Sequence, residues 1–130
     1  MFYSSYKEAH EALKLPGSYQ RGTQGSAETG ITSIKVTENP RSLDKISRDF
    51  STIYYVGIGE KSSQGEPADH QRKEDQAAFF TSLKKQNEVP VLIKLSSGVV
   101  MYAGNYKVKR IYRRLSPRAK HYYEIQFEHV

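Results

Sequence analysis

The sequence predicts an α+β domain: a curved, mostly antiparallel β-sheet or barrel of about six strands, with two helices packed outside it. Three observations carry that expectation. Apolar residues make up only 37% of the chain, yet 10 Tyr and 5 Phe are among the residues, a composition suited to a β-rich, aromatic core. Short β-branched and aromatic runs recur between glycine, proline and polar punctuation. Only two stretches show helical spacing. At 130 residues the chain fits one domain, 1–130, large enough to bury roughly two thirds of its unfolded surface.

The elements follow in order. SSYKEAHEALKL, Ser4 to Leu15, reads as a short helix: Ser4 or Ser5 can cap it, Glu8 stands in capping-box position after Ser5, and Tyr6, Ala9 and Leu13 share a face. Pro16-Gly17 ends it. GSYQRGTQGSAETG is polar and glycine-dotted, and reads as a loop. ITSIKVTENP alternates weakly and reads as a strand stopped by Asn39-Pro40. RSLDKISRDF stays open between a helical turn or two and a loop. STIYYVGIG gives the strongest strand signal, with Tyr54 and Tyr55 on opposite faces.

Glu66 to Gln86 then turns helical, with Ala77, Phe80 and Leu83 as the apolar stripe and Gln76 and Phe79 alongside. VPVLIKL and GVVMYAG flank Ser97-Gly98 as a hairpin. YKVKRIY and HYYEIQFEHV are the last two strands, joined across Ser116-Pro117. In the final one Tyr123, Ile125 and Phe127 point one way, and Glu124, Gln126 and Glu128 the other.

Charge narrows the partner. The net charge is +6, and the stretch from Asn105 to Tyr123 holds seven bases and no acid. Removing those seven from the 20 basic residues leaves 13 against 14 acids, so the positive field comes from one segment. A solvated strand pair is the ordinary explanation, but tyrosines at 106, 112, 122 and 123 interleave the charges and favour nucleic acid. No apolar run approaches the ~18 residues of a membrane span, and MFYSSYKEAH lacks the layout of a signal peptide. Zero cysteines exclude disulfides and thiolate metal sites. A cytoplasmic setting without a membrane partner is the expectation.

Catalytic signatures are sparse. The histidines at 10, 70, 121 and 129 form no zinc-like pairing. Gly57-Ile58-Gly59 is half of a dinucleotide fingerprint, without the third glycine or an immediate helix. A small Mg²⁺-dependent nuclease would have to gather Asp69, Asp75 and Glu60. Asp69 and Asp75, with His70, Gln71 and Arg72, more simply begin a helix whose acids favour the dipole. No enzymatic activity and no cofactor are therefore expected.

From Tyr55 onward, five ordered pieces resemble a known family. YYVGIGE, HQRKEDQAAFFTSL, VPVLIKL, YAGNYKV and HYYEIQFEHV follow the order of motifs in SRA domains, the SET- and RING-associated readers of methylated cytosine within the wider PUA-like group. Tyr55-Val56-Gly57-Ile58-Gly59 matches the family's tyrosine–glycine turn, Gln71 falls near its glutamine, and Tyr102 to Val108 matches its penultimate motif. Glu60 and Ala103 depart from the family's Gly and Asp, and the first 50 residues match little of it.

That resemblance implies a PUA-like fold and a partner, double-stranded DNA carrying methyl- or hydroxymethylcytosine, read by turning the base out of the stack. It also implies a modification-dependent restriction system with a fused or associated nuclease. Tyr55 is then the stacking aromatic, backed by Val56, Gly57 and Gly59, since base stacking contributes ~1–3 kcal/mol. Asp49 is the expected acceptor for the cytosine amino group, with Asp44 left open; pairing with Arg48 or Lys45 is the ordinary alternative for Asp49. Lys61, Ser62, Ser63 and Gln64 belong to the duplex-invading loop, which Gln71 braces. Lys107, Lys109, Arg110, Arg113, Arg114 and Arg118 are the expected phosphate clamp. A PUA-like RNA-binding module is the alternative.

Overall fold

Polar and apolar residues sort onto the two faces of one strongly curved sheet, as seen in a computed structural model that describes residues 1–39, 42–57, 71–115 and 121–130. In chain order the elements are β1 (Phe2–Tyr3), α1 (Tyr6–Ala12), β2 (Thr23–Ser26), β3 (Gly30–Thr37), β4 (Lys45–Ile46), β5 (Thr52–Tyr55), α2 (Lys73–Lys85), β6 (Val89–Lys94), β7 (Val100–Leu115) and β8 (His121–His129). The strand order is β2-β3-β6-β7-β8-β5-β4, with β1 added on β7. Every pairing is antiparallel except β3 with β6. The α+β class with two flanking helices is as expected. Eight strands are described against the expected six: β1, β2 and β4 are additional, and two expected strands merge into one.

Two predicted strands merge. GVVMYAG and YKVKRIY form the single 16-residue β7, whose first part pairs β6 and whose second part pairs β8. Register slips beside Gly104 and at Lys109 mark bulges, and bulges bend a strand and increase its twist. Gly104 has φ 104°, and a Cβ there would meet His129 Nε2 at 2.5 Å. Curvature is thus written into β7.

The main core lies between the concave face and α2: Ile34, Val36, Ile53, Tyr55, Val108 and Phe127 are sealed from solvent against Ala78 and Phe79. The helix face differs by one position from the expected stripe. Ala78, Phe79 and Ser82 are buried, whereas Phe80 is 45% exposed and meets the Tyr123 ring edge-on. Ser82 takes its place inside because its hydroxyl accepts the Ile31 amide at 2.7 Å. A second cluster forms under α1, where Ala9 packs on Leu92 and Val100. Ser5 caps α1 by accepting the Glu8 amide, while Glu8 reaches back to Ser4.

The stretch read as a polar loop contains β2. Thr23 and Gln24 are buried there, with Gln24 donating to the carbonyls of Ser18 and Arg21. The ambiguous RSLDKISRDF contributes β4 and the turn into β5. No helix among the described residues is long and apolar enough to cross a membrane.

Candidate functional site

The sheet curls until its two margins meet. β2 and β3 stand at one end of the strand order, β5 and β4 at the other, yet Thr23 Oγ1 and Tyr55 OH share a hydrogen bond of 2.6 Å. Among the described residues no backbone ladder joins these margins, so the sheet stays an open barrel with a seam. A cleft of about 730 Å³ opens there, within the range of small-ligand sites. One wall comes from Lys35 and Thr37 of β3 and from Tyr6 at the start of α1; Asp44, Tyr55 and Gly57 form the opposite side. Tyr19 and Gln20 contribute from the segment before β2, and Lys94 from the end of β6.

Asp44 is the charged centre of this cleft. Its Oδ1 accepts two consecutive amides, Val56 N–H at 2.7 Å and Gly57 N–H at 3.0 Å. No described residue donates to Oδ2. Burial pushes its pKa up to about 6, although the two amides pull the other way. The chain can offer two successive N–H groups because Gly57 adopts φ 75°, where a Cβ would lie 2.7–2.8 Å from Tyr55 ring atoms.

Tyr55 borders the cleft in a way the sequence did not foretell. Its residue exposure is 0%, and its ring is held edge-on by Phe79 at 6.3 Å and Phe127 at 6.1 Å. The hydroxyl, raised well above its ordinary pKa by burial and then by Asp44, ends at the seam. Tyr55 therefore offers no free face for stacking and is the floor of the cleft. The accessible aromatic rings on the walls are Tyr6 and Tyr19. Val56 is buried and contributes its backbone amide only.

Asp49 requires a correction. It sits exposed in the β4–β5 turn, where its Oδ1 accepts Ser47 Oγ at 2.9 Å, Ser51 N–H at 3.0 Å and Ser51 Oγ at 2.7 Å. The Ser51 hydroxyl and amide, with Ser47, hold its pKa down at about 2. It is a turn-forming aspartate outside the cleft, and Asp44 is the carboxylate beside Tyr55.

Gln71 ties three elements together just ahead of α2. Its Nε2 donates to Val56 O at 2.8 Å and Tyr123 O at 2.7 Å, and its Oε1 accepts Tyr123 N–H at 2.7 Å. The loop it was expected to brace, with Gly59, Lys61, Ser62, Ser63 and Gln64, lies outside the described residues, as does Arg118.

The expected phosphate clamp is partly neutralised. Lys109 pairs with Glu128 at 3.1 Å, and Arg114 with Glu124 at 2.8 Å while stacking over Tyr112. Arg110 and Arg113 are exposed, and Lys107 is half-buried. None of these residues lines the cleft; its described cations are Lys7, Lys35 and Lys94. Asp75, named for a nuclease, pairs with Arg21 at 3.2 Å, while Asp69 and Glu60 lie outside the described residues. No group of three or more His, Asp or Glu side chains that could hold a metal occurs among the described residues.

An open barrel thus carries an amide-braced carboxylate in a cleft at its seam, of a size to take a small, hydrogen-bonding group. Residues 2–130 match the SAD/SRA domain model, and the chain belongs to that family. Solved structures with the same fold include KRYPTONITE in complex with mCHH DNA, H3(1-15) peptide and SAH (TM-score 0.73, 17% identity), covering 100% of this chain and 31% of that one. The modification-dependent TagI restriction endonuclease aligns with TM-score 0.77 and 20% identity, over 100% of this chain and 48% of TagI. The SUVH5 SRA domain with hemi-methylated CG DNA gives 0.75 and 18%, over 98% and 84%. The chain thus spans less than half the length of the first two of these proteins. The curated protein sequences contain no match to it.

Proposed function

We propose that the chain reads 5-modified cytosine in duplex DNA, receiving the everted base in the seam cleft with Asp44 as acceptor for the exocyclic amino group. One observation carries this reading: a carboxylate fixed by two backbone amides, with its second oxygen free of described donors, at the floor of a cleft of about 730 Å³. Cytosine presents its N4 amino group as a donor, and a carboxylate is its natural acceptor. Tyr6 and Tyr19 supply aromatic surface on the walls, and the small Gly57 lets main-chain amides approach.

The family supports this reading, as do its structural relatives: SUVH5 SRA was solved with hemi-methylated and with fully hydroxymethylated CG DNA, and TagI is a modification-dependent restriction endonuclease. In such a system the chain supplies specificity, and a fused or associated nuclease supplies cleavage. No catalytic step is assigned to the chain itself.

The test is a binding panel of otherwise identical duplexes carrying cytosine, methylcytosine or hydroxymethylcytosine. Wild type should prefer a modified duplex, and Asp44→Asn, which keeps the amide contacts but offers no carboxylate, should lose most of that preference, on the order of 10-fold. Equal binding of plain and modified duplexes by wild type would overturn the proposal. Tyr55→Ala is unsuited to the purpose because it empties the main core.

A further inference from the structure

The cleft has a second chemical end. Lys35 Nζ lies 4.8 Å from the Tyr6 ring centroid and Lys94 Nζ 6.0 Å from it. Parallel pairing of β3 with β6 sets Lys35 opposite Leu92 and Thr37 opposite Lys94, so both lysines emerge on the α1 side of the sheet. The Tyr6 hydroxyl donates to Val36 O at 3.0 Å, which fixes the ring beside them. Neither lysine has an acidic partner among the described residues, and Asp44 is the only described acid on the cleft wall. Two like charges gathered on one ring with no counter-charge repel each other, and an anion relieves that repulsion. Lys35 is half-buried, and burial lowers its pKa.

We propose that Lys35 and Lys94, gathered at the Tyr6 ring, are the anion station of the cleft, and that it takes the backbone phosphate travelling with the everted nucleotide. This rests on the base-reading assignment above and adds to it the site where the backbone is gripped. An acidic group on the base is the other source of negative charge. On cytosine, however, C5 adjoins the carbon bearing the amino group, so a 5-carboxylate would lie against Asp44, which repels it. A nucleotide carries its phosphate at the end remote from the amino group, where the lysines are. This face therefore holds a phosphate contact distinct from the ridge of β7 and β8, where Lys109 and Arg114 are ion-paired and Arg110 and Arg113 are exposed.

The experiment measures affinity of the full chain for a duplex with one central methylcytosine between 50 and 200 mM salt, for wild type, Lys35→Gln, Lys94→Gln and Arg113→Gln. Each lysine variant should lose one phosphate's worth of salt dependence, narrowing its deficit against wild type by about 3- to 4-fold across that range. Replacing the phosphates flanking the methylcytosine by neutral methylphosphonates should weaken wild type by a similar factor and weaken the double lysine variant no further. Lysine variants that keep their thermal stability, the wild-type slope and full sensitivity to methylphosphonate would overturn the proposal. So would a loss confined to 5-carboxylcytosine duplexes. Failure of the base-reading assignment looks different: wild type would show no preference for the modified duplex at any salt concentration.

Discussion

Asp44 carries opposing demands. The folded protein binds its proton more tightly than the unfolded chain does, since its pKa rises from the ordinary 3.8 to about 6. The ionised form therefore costs stability above pH 6, and the cost fades as pH falls toward about 4. A rise of that size corresponds to about 3 kcal/mol. Asp44→Asn should accordingly be more stable than wild type by about 1–3 kcal/mol at pH 8 and should show no advantage near pH 4, as read by urea denaturation at the two pH values. A variant no more stable than wild type at pH 8 would show that the carboxylate is not strained. Asp49 behaves in the opposite sense: its low pKa makes the turn it closes a source of stability at neutral pH that is lost in strong acid. Two aspartates five residues apart thus divide into one that shapes a turn and one that strains a cleft. Spacing alone could not separate them, because what distinguishes them is that the Val56 and Gly57 amides both reach Asp44.

At the scale of elements, Gln71 joins the end of β5 to the start of β8 at the point where α2 is about to begin. Gln71→Ala should leave two carbonyls and an amide short of partners, costing about 2–3 kcal/mol, and hydrogen exchange should quicken at Tyr123 relative to the centre of β7. Unchanged exchange at Tyr123 would show that the β5–β8 ladder holds without the glutamine. The strands β3, β5, β6 and β8 were legible because each is a β-branched or aromatic run set off by turn residues. β2 was not, because its buried residues are polar and satisfied outside the strand: Thr23 by Tyr55, and Gln24 by the carbonyls of Ser18 and Arg21. The face of α2 was shifted by one position for the same reason, since a serine bonded to Ile31 N–H fills a core place. Lys35 and Lys94 stand 59 residues apart and read singly as solvated strand lysines; only the parallel β3–β6 pairing brings them together. Two members of the conspicuous basic run, Lys109 and Arg114, by contrast find counter-ions on β8.

For the molecule as a whole, the contact that matters most is the one across the seam. Thr23→Val should strand the buried Tyr55 hydroxyl and cost about 1–3 kcal/mol, whereas Thr23→Val combined with Tyr55→Phe should recover most of that loss. Additive losses in that double-mutant cycle would mean that the two hydroxyls are not coupled. The cleft they border is a gap between strands and not a dent in a surface. A bulkier residue at either margin therefore acts as a wedge, parting the rims along their length instead of plugging the opening. Accommodation of a larger or smaller guest is consequently set at Thr23 and Tyr55, the first of which lies outside the cleft lining.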